Sequence, residues 1–298
     1  MSITAAQTAR ARGWRHAYFH RGTLPYWSIH VAAAVGVALT GWSWRGAVLV
    51  LALHVPRMLF VTAGYHRYFA HRSFKTSRWF QFVLGLGAIL TGQRGPLWWA
   101  AHHRTHHKLS DEPGDLHSVK QSGFWWAHQG WILSPDLGAT DLARIKDFAK
   151  YPELRWLDRW WHLPLIGFGV LTLALGGVTW FVWGFCVGQV LCWHATYTIN
   201  SLAHVWGGRR YTTADDSRNN LVLAILTMGE GWHNNHHYQA SARQGFFWWE
   251  IDVTYYMLRA LAAIGVIWDL RGVPDHVRDR APARLPVLPL PTETADMA

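Results

Sequence analysis

The chain has 298 residues, half of them hydrophobic, with 21 Trp and only 15% charged side chains. That charge content lies far below the quarter usual for a soluble domain, which excludes an ordinary water-soluble globule, while a mean hydropathy near zero excludes a chain that is membrane throughout. The formal net charge of +10 suits lipid headgroups, a phosphate-bearing substrate or an acidic redox protein; segments this rich in apolar and Trp residues argue against nucleic acid as partner.

Residues 1–26 open with MSITAAQTARARGWRH, which lacks the apolar core of a secretion signal. Four segments then read as membrane helices in two hairpins, about 27–42 and 46–64 joined by the turn SWR, and 163–177 and 180–206 joined by little more than Val178-Thr179. Each approaches the ~20 apolar residues that a bilayer requires. The expected fold is an all-α integral membrane protein, a single domain over 27–280, with a helical cap formed by 65–161 and 207–280. The stretch 78–92 is short and glycine-rich and reads as an interfacial helix, not a fifth span. The Pro-rich tail 281–298 reads as disordered. Trp pairs at 98–99, 125–126, 160–161 and 248–249 fit interfacial belts. All but two of the 28 Lys and Arg lie on the cap side, Arg45 and Arg57 being the exceptions, with Arg57 placed to snorkel. The positive-inside rule then puts both termini and the cap in the cytoplasm.

On that face lie three histidine clusters: His66 and His71 in HRYFAH, His103, His106 and His107 in HRTHH, and His233, His236 and His237 in HNNHH. In the last two, the i, i+3, i+4 spacing gathers the imidazoles on one helix face. The i, i+5 pair of the first drifts round a helix and calls for a helix end or bend. Spacing alone does not choose among the four histidines of HHRTHH, because His102 and His106 are also i, i+4. Eight imidazoles exceed the needs of one ion, so two ions are the natural count, with iron the redox-active choice. Zinc structural sites favour cysteine, but Cys186 and Cys192 sit in an apolar run and read as small core residues. Glu230, Asp115 and Asp216 are candidate acceptors for the ligands' second ring N–H groups. A non-redox metal-binding or transport protein is the alternative from another class; within the spans, His54, Arg57 and His194 are too few to trace a route across.

The order H-x4-H, H-x2-HH, H-x2-HH around two helical hairpins resembles the membrane fatty acid desaturase superfamily. GYHRYFAHRSF, HRTHHKLSDEPGDLHS, NSLAHVWG and GEGWHNNHH resemble more narrowly its stearoyl-CoA-type Δ9 desaturases, from about Thr62 to His237. The resemblance implies a di-iron centre held by His66, His71, His103, His106, His107, His233, His236 and His237. It adds His204 as a ninth ligand and Asn200 through a water, leaves His102 out, and keeps His194 structural. For substrate it implies Gln93, Trp99 and Thr196 at the bend of an acyl tunnel, His117 in GDLH, where Leu116 replaces the usual Pro, and Arg94, Lys108 and Lys120 as possible phosphate donors. The implied reaction is O2-dependent introduction of a cis double bond, at Δ9, into a saturated long-chain acyl group. No haem-binding cytochrome b5 segment is visible, so the expected electron donor is a separate protein, a ferredoxin or cytochrome b5-like carrier. The acyl-CoA enzymes carry Arg-Asp where this chain has Ala101 and His102. A CoA thioester is the first expectation for the carrier, with acyl carrier protein and glycerolipid as alternatives. Acyl-chain hydroxylases and acyl-lipid desaturases are the related activities.

Overall fold

The computed structural model describes Ala9 and residues 12–280; the tail at 281–298 and most of the first eleven residues lie outside the described residues. The chain is mostly helical. Helix α1 (Leu24–Thr40) runs to Gly41, and Ser43, whose Oγ accepts from the Gly46 N–H, caps α2 (Trp44–Leu59, continuing through Phe60–Ala70). Strand β1 (Lys75–Thr76) leads into α3 (Arg78–Ile89) and α4 (Pro96–Leu109). Further on come α5 (Pro152–Arg159), α6 (His162–Thr179), and α7 (Gly188–Asn200, preceded by the helical Trp180–Val187). Short α8 (His233–Tyr238) and α9 (Val253–Ala263) follow, and β2 (Ile267–Trp268) pairs antiparallel with β1, Lys75 opposite Trp268.

Three stretches are long and apolar enough to cross a membrane: Arg21–Thr40, Trp44–Ala70 and the 43-residue His162–His204. The third reverses on itself. Gly177, at φ 60° and ψ −158°, breaks α6, and the rings of Phe168 and Phe185 meet 5.9 Å apart across the reversal. Trp180–Val187 then packs against both α1 and α2, where Gly36 faces Val182 and Gly46 faces the Trp183 ring with no room for a Cβ. The outer faces carry Val31, Val35, Leu51, Val55, Ile166 and Val170, all exposed, as a lipid environment favours.

Several elements differ from expectation. Trp44 and Arg45 belong to α2, so the first turn is Gly41–Ser43. Arg57 does not snorkel: it is buried, its Nη2 donates to the Gly184 carbonyl (2.8 Å), and the guanidinium lies over Phe168. Trp98 and Trp99 are buried in the cap and form no belt, whereas Trp125 and Trp248 are exposed. α7 ends at Asn200, short of the expected 206, and Ser201 (φ −115°, ψ −73°) leads into a tight turn at Leu202–His204. As expected, α3 is too short to span. It packs on α2, where a Cβ on Gly64 would lie 3.2 Å from the Leu84 carbonyl oxygen.

Candidate metal centre

The first histidine pair is brought together by unusual winding. Residues 60–70 are wound with wider π-type turns, and the His71 N–H donates to the His66 carbonyl five residues back (3.1 Å). Fewer degrees per residue bring an i, i+5 pair back to one side, and the two rings lie 4.8 Å apart. The end of this wide segment is held from α4. Arg104, inside HRTHH, donates to the carbonyls of Phe69 (2.8 Å) and Ala70 (2.9 Å), which a helix terminus leaves without partners, and pairs with Asp147. The asparagines of HNNHH fix α8 in the same way. Asn234 Oδ1 accepts from the Tyr211 N–H (2.7 Å), and Asn235 Nδ2 donates to Glu250 (2.9 Å).

The nine expected histidines converge in two groups. His66, His71, His103, His107 and His236 form one, and His106, His204, His233 and His237 the other; within each, one nitrogen per ring lies within 4.8 Å of all the rest. The atoms that approach are Nε2: His66 to His236 at 3.0 Å, His71 to His103 at 2.9 Å, His107 to His236 at 2.9 Å and His204 to His233 at 3.1 Å. The groups abut where His107 stacks on His237, centroids 4.5 Å apart.

Carboxylates take the opposite nitrogens. Nδ1 of His66 pairs with Glu230, of His106 with Asp115 (2.9 Å), of His204 with Asp111 (3.1 Å) and of His237 with Asp215 (2.6 Å). An acceptor at Nδ1 fixes the tautomer that leaves the Nε2 lone pair free for a metal. Two of the three acidic residues expected in this role, Glu230 and Asp115, take it. Asp216 does not: its neighbour Asp215 reaches His237, while the Asp216 carboxylate faces Arg209. Asp111 is a fourth acceptor that sequence reasoning missed; it also missed Arg67, which is buried and donates to Glu230 (3.1 Å) and Asp252 (2.9 Å).

Electrostatics suit a metal. Burial, then repulsion among neighbouring imidazoles, holds His71, His103, His107, His233 and His236 well below the ordinary histidine value. They are therefore neutral, as ligands must be. Burial pushes His237 down to about 4 despite its bond to Asp215. Burial alone would raise Asp111, Asp115 and Asp215, but their imidazole partners outweigh it and hold all three below the usual carboxylate range. His106 is raised, burial being outweighed by the charge of Asp115. Among the described residues, the buried Nε2 atoms of His106 and His237 have no hydrogen-bond partner, as suits nitrogens that would hold a metal ion. The residues fit a pair of metal ions with all-imidazole donors.

Beside the histidines lies a cavity of about 30 Å³, walled by His66, His103, His106 and His233 on one side and by Met58, Val61, Trp99, Thr196 and Asn200 on the other. Trp99 stacks on Tyr65 and His103, and Gln93 Nε2 donates to Thr196 Oγ1 (3.0 Å). Trp99, Thr196 and Asn200 are thus at the centre, with Gln93 just behind. His117 also lines the cavity and stacks on His106, centroids 4.0 Å apart. A separate groove of about 790 Å³ lies between α1 and α6 and is lined also by Gly92, Arg94, Trp193 and Tyr197. Arg94 is turned inward, donating to the Ile132 carbonyl (3.0 Å) with its guanidinium over Trp98. Lys108 and Lys120 line neither space. His102 lies outside both groups, stacked on Trp98 with its two nitrogens facing the carbonyls of Trp98 (2.7 Å) and Leu137 (3.0 Å). Burial pushes it down to about 3, and it is a core residue, not a member of the histidine groups.

The profile of the fatty acid desaturase family matches residues 42–276. The chain belongs to that family. An sn-1 stearoyl-lipid 9-desaturase of Anabaena variabilis is 37% identical over 252 residues, covering 84% of this chain and 92% of the relative. A Delta-9 acyl-lipid desaturase 2 of Arabidopsis thaliana is 37% identical over 242 residues, 80% of this chain and 78% of the relative. An icosanoyl-CoA 5-desaturase of Limnanthes douglasii is 35% identical over 248 residues, 82% and 69%. This chain is thus an oxidoreductase of fatty acid desaturation, and its histidine groups, able to hold metal, occupy the middle of the matched region.

Proposed function

We propose that this desaturase introduces a cis double bond at Δ9 of a saturated acyl chain carried on a glycerolipid, at two irons held by the nine histidines. The observation that carries the reading is the pair of abutting imidazole groups, five and four strong, whose Nε2 atoms converge beside an apolar cavity. When bound, the irons supply the reductive activation of O2. The protein's own work is positional. Carboxylates at Nδ1 orient the ligands, and Asn200, on the cavity wall, holds a water toward the centre. Trp99 and Thr196 fix the acyl chain beside it, as attack on one unactivated methylene pair demands. Met58, Val61 and Ile199 keep bulk water away.

Glycerolipid is preferred to CoA as the carrier for three reasons. Ala101 and His102, which stand where acyl-CoA enzymes carry Arg-Asp, are buried and offer nothing to a nucleotide. The groove opens between apolar helices, so a lipid chain could enter it from the side. Two of the relatives described above act on lipid-bound acyl chains. The proposed arrangement has four spans, both termini and the histidine centre in the cytoplasm, and a separate acidic electron donor, a ferredoxin or cytochrome b5-like protein, meeting the basic cap.

Expression in a host without its own desaturase, with a ferredoxin supplied, tests the reading. Pulse-labelled stearate should yield cis-Δ9 monoene first in glycerolipid. Hydroxy acids instead, or monoene appearing first in the acyl-CoA pool, would overturn the activity or the carrier respectively.

A further inference from the structure

Three histidines take no part in either metal group but are linked to one another. His30 on α1, His194 on α7 and His128 in the cap form a line. His30 Nε2 meets His194 Nε2 at 3.1 Å, and His194 Nδ1 meets His128 Nε2 at 2.9 Å. At the outer end His30 Nδ1 faces the Tyr26 carbonyl (2.8 Å). At the inner end His128 Nδ1 faces Ser201 Oγ (2.9 Å), which reaches the Tyr197 carbonyl (3.0 Å).

The geometry excludes a metal site, because His194 and His128 each use both ring nitrogens toward different neighbours, so no single point is shared. It suits proton transfer instead, since an imidazole that receives a proton on one nitrogen releases another from the opposite one. Counting protons sharpens this. The line has five links, Tyr26 carbonyl to His30, His30 to His194, His194 to His128, His128 to Ser201, and Ser201 to the Tyr197 carbonyl. Each link needs one proton. Three neutral imidazoles and one hydroxyl supply four. Both ends are carbonyls, which only accept, so the line is complete only when it carries one proton more than its neutral members hold.

What faces the rings does not fix that proton in place. Tyr26 and Trp27 of α1 and Trp193 of α7 lie against His30, and Phe124, Trp125 and Tyr197 lie against His128 and His194. All are neutral. Burial, then His194, pushes His128 down to about 4. No carboxylate among these neighbours holds the extra proton in place. The inner end has a use for it. Ser201 follows Asn200, which lines the histidine cavity, and its carbonyl accepts the His204 N–H (3.1 Å). Desaturation consumes two protons: R–CH2–CH2–R′ + O2 + 2 e− + 2 H+ gives R–CH=CH–R′ + 2 H2O, the electrons coming from the one-electron carrier protein.

We propose that His30, His194, His128 and Ser201 form a proton relay that loads one proton at a time at His30 and, when the Ser201 hydroxyl turns from the Tyr197 carbonyl, delivers it toward the cavity edge at Asn200 during turnover. The proposal rests on the desaturase reading above.

Two measurements test it. In metal-free protein, 15N-histidine NMR should show the three rings titrating as a coupled unit, and His30→Phe, two rings away, should shift the titration of His128. An unchanged His128 titration would overturn the relay. In iron-loaded enzyme with reduced donor, H194Q keeps hydrogen bonding but cannot pass a proton. It should retain wild-type iron content, lose at least about tenfold in turnover, raise the solvent deuterium isotope effect and regain rate with added imidazole. H194F should behave alike. Turnover within about twofold of wild type in both variants, or a loss that imidazole does not restore, would overturn it. Failure of the desaturase reading is distinct, since wild type would then form no double bond.

Discussion

Each carboxylate at the centre acts through the histidine it touches. Asp215 accepts from His237 Nδ1, while its chain neighbour Asp216 turns to Arg209, so the two side chains provide a matched contrast. Asp215→Asn should lower iron affinity or activity about 10–100-fold, the usual cost of losing such an acceptor, whereas Asp216→Asn should leave both near wild type. Iron per chain and monoene yield check this, and equal losses in the two variants would remove Asp215 from its role. His102 makes a second contrast. Its ring is buried against Trp98 and touches no ligand. His102→Ala should cost about 1–3 kcal/mol of stability through lost packing and a lost hydrogen bond, read as a lower thermal midpoint in detergent, with iron content per folded chain unchanged.

At the scale of elements, both helix reversals turn on one glycine. Gly41 (φ 72°, ψ −179°) and Gly177 (φ 60°, ψ −158°) occupy a backbone region that is essentially closed to residues with a Cβ. Gly41→Ala and Gly177→Ala should each cost about 1–3 kcal/mol and add when combined, as the sites are independent. Gly167, inside α6 with open space around it, is the control, and Ala there should be neutral or stabilising by up to about 1 kcal/mol. Thermal midpoints of the four variants decide it; a tolerated Gly177→Ala would mean that the reversal does not depend on that conformation. These elements also show what the sequence could convey. The helices and their pairing were legible because apolar runs and glycine breaks are local signals. The histidines were legible because i, i+3, i+4 spacing has one geometric meaning on a helix. The pair His66/His71 pointed to a departure from regular winding, but not to wide turns, because π-type winding is stabilised by tertiary contacts such as Arg104 on the Phe69 and Ala70 carbonyls. Asp111, Asp215 and Arg67 were illegible for the same reason: their partners lie 93, 22 and 163 residues away along the chain. Buried Arg57 and Trp98 were not legible because the carbonyls they donate to, Gly184 and Leu137, lie 127 and 39 residues away along the chain.

For the whole molecule, gathering so many imidazoles out of water ties folding to pH. In the unfolded chain these rings return to about 6.5, while in the folded metal-free protein His71, His103, His107, His233 and His236 sit well below it. Below about pH 6.5 the unfolded chain therefore takes up protons that the folded one refuses, and stability falls as pH falls. His106 works the other way. Its folded value is raised, so its contribution is fully present in acid and is lost as pH rises through that raised value. One such group does not offset five. Asp111, Asp115 and Asp215 are lowered, so their contributions persist until pH drops below about 4, the unfolded carboxylate value. Between about pH 7 and 5 the many lowered histidines set the direction of the slope, with the buried Asp158 and Glu250, raised by burial, acting against it. The thermal midpoint of chelator-stripped protein should fall steadily across that window. Iron should raise the midpoint across the whole window, because the folded rings are already deprotonated; the one loss toward acid comes from His106, which must give up its proton to bind. A midpoint that is flat or rises toward pH 5 in the stripped protein would mean that the imidazoles are not held neutral by burial, and the electrostatic argument for a preformed all-histidine centre would fail with it.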